Sequence, residues 1–332
     1  PYHGIVRRRI VKYERKKLLA KLAYLYYIEE KSQSEIATET GIYRTTVSRM
    51  LTEAKKEGIV KIEIENFDSK LFRLENYVKE KYNLHELEIV PNIADESLKD
   101  LEQRLAQSIA SMVRSLLQDG MNIGFSWGKS LSLLVDCIGS KRLENVYFYP
   151  LAGGPSHIHA RYHVNTLIYN MASKFHGECR FINATIIQEN KELAEGILTS
   201  KYFDDLRDSW ENLDIAVVGI GGPADTHNPQ WFDMLTEKDF TELRSEAAVG
   251  EVCCRFFDQE GKPVYQDLQE RTVAIRLEEL KQIPKTVSLA YGERKAGAIL
   301  SVIKAGYINH LVTDEATIIK MLELDGDANF LE

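Results

Sequence analysis

No stretch of this 332-residue chain approaches the roughly 18–20 consecutive apolar residues of a membrane-spanning helix, so no membrane partner is expected. Cysteine is scarce. Cys137, Cys179, Cys253 and Cys254 show no CxxC spacing, which removes the usual redox signature and leaves the cytoplasm as the natural compartment. Cys253 and Cys254 are adjacent in an apolar run and read as buried strand rather than a redox pair. The N-terminus, PYHGIVRRRIVKYERKK, is basic but lacks an apolar stretch and a small-residue cleavage site, so it does not read as a secretory signal.

What is present suits a globular protein of two or three domains, with 44% hydrophobic residues to fill a core. The charge is uneven. Residues 1–60 hold 13 Lys/Arg against 7 Asp/Glu, a net of +6, and the remainder carries −14. A basic module on an acidic body concentrates positive charge where counterions of a nucleic-acid backbone are displaced, although a solvated helix face has the same composition.

Residues 33–51, QSEIATETGIYRTTVSRML, have the spacing of a helix-turn-helix. A helix face precedes them, with apolar residues at 18, 19, 22, 23, 25 and 26. Gly41 permits the left-handed turn between two helices, and Ile36, Ala37, Ile42, Val47, Met50 and Leu51 form a small core. Arg44, Thr45, Thr46, Ser48 and Arg49 are left on the exposed side of the second helix. There arginine can take guanine edges and hydroxyls can take bases or phosphates, which makes these five the candidate DNA-binding residues. Arg7, Arg8, Arg9, Lys12, Arg15, Lys16 and Lys17 are candidate phosphate contacts or a solvated tail. Gly58 breaks the helix, and Ile59–Glu65 alternates like a short strand, a wing or the start of a connection.

Leu71, Leu74, Val78 and Tyr82 suggest a connecting helix. A further helix over 98–118 places Leu98, Leu101, Leu105, Ile109, Met112 and Leu116 on one stripe, for core packing or a dimer seam. The expected organisation is a DNA-binding domain over 1–66, a linker helix and connection over 67–92, and an effector and oligomerisation domain over 93–332. From Met121 short apolar strands alternate with helices. Strands are expected at 121–125, 146–150, 179–183, 213–220, 272–275, 286–291 and 310–313, and helices at 130–138, 163–175, 190–198, 232–246, 294–305 and 315–323. This is an α/β pattern with a mostly parallel sheet covered on both faces, and ligands bind such sheets at the strands' carboxyl ends.

Small and polar residues cluster there. GFSWGKS (124–130) follows a strand and opens a helix, so backbone N–H groups, Ser126 and Lys129 can surround an anion. LAGGPS (151–156) brings Gly153 and Gly154, GIGG (219–222) ends another strand, and GERK (292–295) puts Lys295 in the first turn of a helix. Four such loops at equivalent ends of one sheet, two carrying lysine, point to a phosphorylated ligand.

Over nearly its whole length the chain resembles the SorC-type (SorC/DeoR) bacterial sugar-responsive regulators. The resemblance is carried by LAKLAYLYYIEEKSQSEIATETG, VSRMLTEAKKEGIVKIEI, GFSWGKSL, PLAGG, DIAVVGIGG, GEVCCRFFDQEGKPV and KAGYINHLVTDEAT, in that order. It implies a winged-helix-like DNA-binding domain and a Rossmann-like effector domain similar to glucosamine-6-phosphate deaminase and ribose-5-phosphate isomerase. It further implies homodimers or homotetramers on palindromic double-stranded operators, controlled by a sugar phosphate, with no cofactor. Carried over residue by residue, the effector phosphate falls among Gly124, Ser126, Gly128 and Lys129 or near Lys295. Glu251 faces the sugar hydroxyls, and Arg161 and Asn165 complete the pocket. Two positions depart from the family. Tyr43 replaces the usual N-cap serine, a change of about 1 kcal/mol unless Thr45 substitutes, and Ala305 stands where many members have glycine.

The alternative is a sugar-phosphate isomerase or deaminase. In the deaminases the proton-transfer groups sit in a Gly-Ile-Gly-x-Asp-Gly-His loop. Here Pro223 takes the Asp position and Asp225 the His position, so no catalytic residue is expected. His157, His159 and His163 have an HxHxxxH spacing. They read as loop histidines or ligand contacts rather than a metal site.

Overall fold

In the computed structural model the described residues are 2–62, 68–155, 160–224 and 234–327, the side chains of 2–13 excepted. The chain divides into two compact units, Pro1–Asp68 and Ser69–Glu332. Among the described residues no helix is long and apolar enough to cross a membrane.

The smaller unit is built of helices α1 (Tyr2–Tyr27), α2 (Gln33–Thr40) and α3 (Arg44–Lys56). Leu19, Leu22 and Leu25 of α1 meet Ile36 of α2 and Val47, Met50, Leu51 and Ala54 of α3 in one buried cluster. Ser32 starts α2 with a capping box, taking the Glu35 N–H on its hydroxyl while Glu35 takes the Ser32 N–H at 2.8 Å. Gly41, at φ 68°, turns the chain toward α3. Tyr43 is the N-cap of α3 and offers no side-chain hydrogen bond, so the expected loss stands and Thr45 does not replace it. The expected strand after Gly58 does not form over 59–62. The Ile59 and Val60 N–H groups both donate to Ala54 O (2.9 and 3.2 Å), closing the helix end instead of entering a ladder. The rest of that stretch, 63–65, lies outside the described residues.

The larger unit runs α4 (Ser69–Tyr82), β1 (Glu86–Val90), α5 (Leu98–Leu116), β2 (Asn122–Phe125), α6 (Lys129–Cys137), β3 (Tyr147–Pro150), α7 (Val164–Phe175) and β4 (Glu178–Cys179). It continues with α8 (Lys191–Leu198), α9 (Asp204–Glu211), β5 (Ile215–Gly219), α10 (Glu237–Ser245), β6 (Gly250–Val252), β7 (Arg255–Phe257), α11 (Gln266–Arg271) and α12 (Leu277–Leu280). It closes with β8 (Lys285–Leu289), α13 (Ala296–Ala305), β9 (His310–Asp314) and α14 (Glu315–Leu324). Seven strands form one sheet in the order β1-β9-β8-β5-β2-β3-β4, every pair parallel. All five residues of β9 and the first four of β5 are buried whichever way they point, so helices cover both faces.

Four expectations change here. The stretch 67–92 holds the expected helix as α4, but what was expected as plain connection contains the edge strand β1, paired along its length with β9. Residues 272–275 make only bridges, Thr272 to Ile187 and Ala274 to Ala152, because they run antiparallel past the irregular end of β3. Cys253 and Cys254 are buried, as expected, but they are the turn between β6 and β7 rather than strand. The buried face of α5 is also shifted: Leu98 is 63% exposed, while Glu102, Leu105, Ala106 and Ile109 turn inward.

Candidate functional site

The chain passes from β2 outward to β3 and β4, then returns to the other side of β2 as β5 before continuing to β8 and β9. Loops leaving β2 and β5 therefore diverge, and the crevice between them is the switch point at which open α/β sheets bind ligands. A cavity of about 110 Å³ opens there, lined by residues 126–131 after β2, 219–221 at the end of β5, and Glu251, Cys253 and Lys295.

The first wall is the N-terminus of α6. Ser126 is buried, and its N–H donates to Val217 O at 3.0 Å, holding the two loops together one residue past the strand. Gly128, at φ 124°, adopts a backbone that a side chain would disfavour and turns the chain so that α6 starts at Lys129. First-turn N–H groups of a helix lack intrahelical acceptors, so this end presents both donors and positive potential to the cavity.

The second wall is Glu251 on β6. Gly221 and Glu251 bridge antiparallel, the Gly221 N–H donating to Glu251 O at 2.9 Å and the Glu251 N–H to Gly221 O at 3.2 Å. A Cβ at position 221 would stand 2.2 Å from Glu251 Oε1, so glycine is what admits the carboxyl. The Cys254 N–H donates to Glu251 Oε2 at 2.8 Å. Cys253 and Cys254 both have left-handed backbones (φ 53° and 58°), the geometry of a two-residue hairpin turn that normally selects Asn-Gly. That unfavourable conformation aims the Cys254 N–H at the carboxyl and leaves Cys253 on the cavity wall. Burial pushes the Glu251 carboxyl up to about 7, with the Cys254 N–H and Lys295 pulling the other way. Burial pushes the Cys253 thiol up to about 12, opposed by the Ser126 hydroxyl, so it is not a nucleophile.

The third wall is Lys295, at the end of the 3₁₀ turn Glu293–Lys295 that leads into α13. Its loop is pinned where the Gly292 N–H donates to Thr317 Oγ1 (2.7 Å) and Asp314 Oδ1 (3.2 Å). Burial pulls the half-buried ammonium below the ordinary lysine range; Glu251 opposes this and Lys129 adds to it. Two ammonium groups, a helix N-terminus and a buried carboxyl have the chemistry to suit a molecule that is anionic at one end and hydroxylated at the other.

The structure brings Ser126, Gly128, Lys129, Glu251 and Lys295 to this cavity and places the other five elsewhere. Gly124 lies within β2, where a Cβ would meet Leu151 Cδ2 at 2.4 Å. Gly153 and Gly154 pass close to the Thr185 backbone and the His163 ring, so both serve packing. Arg161 pairs with Asp136. Asn165 clamps the Ile182 peptide, donating from Nδ2 to Ile182 O (2.9 Å) and accepting the Ile182 N–H (3.1 Å). In the smaller unit Arg44, Thr45, Ser48 and Arg49 are exposed on α3 and Thr46 is half-buried. Arg15 is held by Glu53 of α3 through two bonds of 2.8 and 2.7 Å, and Lys16 lies 4.0 Å from Glu57. The side chains of Arg7, Arg8, Arg9 and Lys12 lie outside the described residues.

Comparison with known proteins gives the family of the chain. The family described as "Putative sugar-binding domain" matches residues 68–323. The sorbitol operon regulator of Klebsiella pneumoniae is 35% identical over 91% of this chain and 96% of its own length. The chain belongs to the SorC/DeoR-type regulators. The crystal structure of the full-length Klebsiella regulator covers 93% of this chain and 99% of that one with a TM-score of 0.73 at 33% identity. A transcriptional regulator from Streptococcus pneumoniae TIGR4 has 62% identity and a TM-score of 0.76, covering 79% of this chain and 100% of its own.

In this SorC/DeoR-type chain the sequence reading singled out neither Cys253 as a cavity residue nor Glu102 and Tyr291, which meet at one carboxylate oxygen with Lys129. Glu102 had a signal: it is a charge at helical spacing from Leu105, Ala106 and Ile109, on an otherwise apolar face. Of the three spaced histidines, His157 and His159 lie outside the described residues. His163 caps α7, its Nδ1 accepting the Asn165 N–H at 3.2 Å.

Proposed function

We propose that the cavity at the β2/β5 switch point binds the phosphorylated sugar to which this transcriptional regulator responds. Lys129, Lys295 and the first turn of α6 take the phosphate, Ser126 supports them, and Glu251 takes sugar hydroxyls. The observation that carries this is the convergence of two lysines and a buried carboxyl, from three separate segments of the chain, at the crevice the topology opens between β2 and β5. Arg44, Thr45, Thr46, Ser48 and Arg49 read operator DNA in the major groove. The protein acts in the cytoplasm, bound to the nucleoid when on its operator. It acts as a homodimer or homotetramer on a palindromic site of a carbohydrate-utilisation operon, and no cofactor takes part. The sugar phosphate favours one quaternary arrangement and so sets the fit of two DNA-reading helices to their half-sites. Turnover of the ligand is disfavoured by Pro223 and Asp225, which hold the places of the proton-transfer aspartate and histidine of the deaminases.

The test is a gel shift with DNA upstream of the chain's own gene cluster, with and without pooled sugar phosphates. A specific shift altered by the pool but not by unphosphorylated sugars is expected. Lys295→Ala should abolish the response and keep the shift. A response that survives Lys295→Ala unchanged removes the phosphate from this cavity, and the absence of any specific shift at moderate salt removes the regulator reading.

A further inference from the structure

Lys129 already has an anionic partner. Its Nζ lies 2.6 Å from Glu102 Oε1, and the Tyr291 hydroxyl donates to the same oxygen at 2.8 Å. Glu102 projects from α5 on the face that buries Leu105, Ala106 and Ile109, and is itself only 9% exposed. A carboxylate on such a face costs free energy unless something pairs it, so packing alone gives no reason for a glutamate there. The Lys129 side chain, by contrast, is 55% exposed at the cavity mouth. One partner is anchored and the other is free to swing. Before any ligand arrives, the formal charge of Lys129 is thus already offset by Glu102.

We propose that Glu102 is a built-in counter-ion that competes with the ligand's phosphate for Lys129, so that it sets both the affinity of the cavity and the charge it demands. This rests on the reading of the cavity as the phosphate site. An entering phosphate must draw the ammonium off Glu102, and Tyr291 then keeps the released carboxylate hydrogen-bonded rather than bare. A dianionic phosphoryl group outcompetes a single carboxylate, whereas a monoanion meets an equal. Glu102 is thus a specificity-determining residue that acts through Lys129 and need not touch the ligand.

The experiment is calorimetric titration of the full chain with inorganic phosphate at pH 7.5. It compares the native protein with Glu102→Gln, Lys129→Ala, the double variant and Lys295→Ala, with melting curves to establish folding. Glu102→Gln should bind phosphate about tenfold more tightly, the scale set by one partly exposed charge pair, and the gain should vanish in the Lys129→Ala background. A gain in affinity is not something loss of a structural contact produces. Binding no tighter than native, or a gain that persists without Lys129, overturns the proposal. If Lys295→Ala still removes binding in that case, the cavity reading stands without it; if no protein binds phosphate, both fall. Should Glu102→Gln not fold, Tyr291→Phe reads the same competition with opposite sign. It leaves the carboxylate a stronger rival, so phosphate should bind at least about twofold more weakly, and unchanged or tighter binding overturns the proposal.

Discussion

Glu251 carries the clearest residue-scale consequence, because its carboxyl is buried and pushed up to about 7 from an ordinary value of 4.5. The raised value means that the folded protein holds the proton more tightly than the unfolded chain. The resulting stabilisation is complete below about pH 4.5 and is lost as pH rises through 7, an effect on the order of 3 kcal/mol. Melting curves of ligand-free native protein and Glu251→Gln between pH 5 and 8 should therefore diverge, with the native protein losing more toward pH 8. Parallel curves would contradict the buried, protonated carboxyl. Gly153 gives a second residue-scale prediction. A Cβ there would stand 2.7 Å from the Thr185 backbone, which cannot swing aside as a side chain does. Gly153→Ala should cost about 1–3 kcal/mol of stability, read by denaturant unfolding, with phosphate affinity per folded molecule unchanged.

Helix α3 is where local sequence and use conflict at the scale of the element. Its N-cap, Tyr43, is 84% exposed and gives no side-chain hydrogen bond to the first turn. Tyr43→Ser should stabilise the smaller unit by about 1 kcal/mol in thermal unfolding; no gain would mean that the ring contributes packing its exposure does not reveal. Arg49→Ala, which removes an exposed side chain from the same helix, should weaken operator binding by about 1–3 kcal/mol and relax sequence preference. Equal affinity for operator and unrelated DNA in the native protein would remove the premise. These helices were legible because residues 33–51 combine a turn glycine with a 3.6-residue apolar period, both local signals. The central strands β2, β3, β5, β8 and β9 were legible as short apolar runs closed by glycine or polar residues. β1 was not: ELEIV alternates polar and apolar residues beside a strong helix pattern, and only its distant partner β9 makes it part of the sheet. The site divides in the same way. Ser126, Gly128, Lys129 and Lys295 stand in contiguous loops, and Glu251 came through resemblance. Gly221 stands in a loop the sequence singles out, but its closeness to Glu251, and the meeting of Glu102 with Lys129 and Tyr291, join residues far apart in sequence.

The domain boundary follows from that edge strand at the scale of the whole molecule. Leu74, Val78, Leu84, Leu87, Ile89 and Val90 are all buried in the main core. Each contributes roughly 1.5–3 kcal/mol by burial, together comparable to the 5–15 kcal/mol net stability of a typical domain. A fragment over 69–332 should fold and bind phosphate without binding DNA, whereas one over 93–332 should aggregate; circular dichroism and size-exclusion chromatography distinguish them. A soluble, ligand-binding 93–332 fragment would mean that β1 and α4 are dispensable. The β1–β9 pairing also gives the chain a timetable. Glu86 of β1 pairs with His310 of β9, roughly 220 residues later, which at 5–20 residues per second is on the order of 10–45 s of translation. The three short-range helices of the smaller unit need wait for nothing so distant. Every newly made molecule thus passes through an interval in which the three helices of the smaller unit are complete and the sheet of the larger one lacks β9, and a ribosome stalled before residue 310 holds a nascent chain in that state.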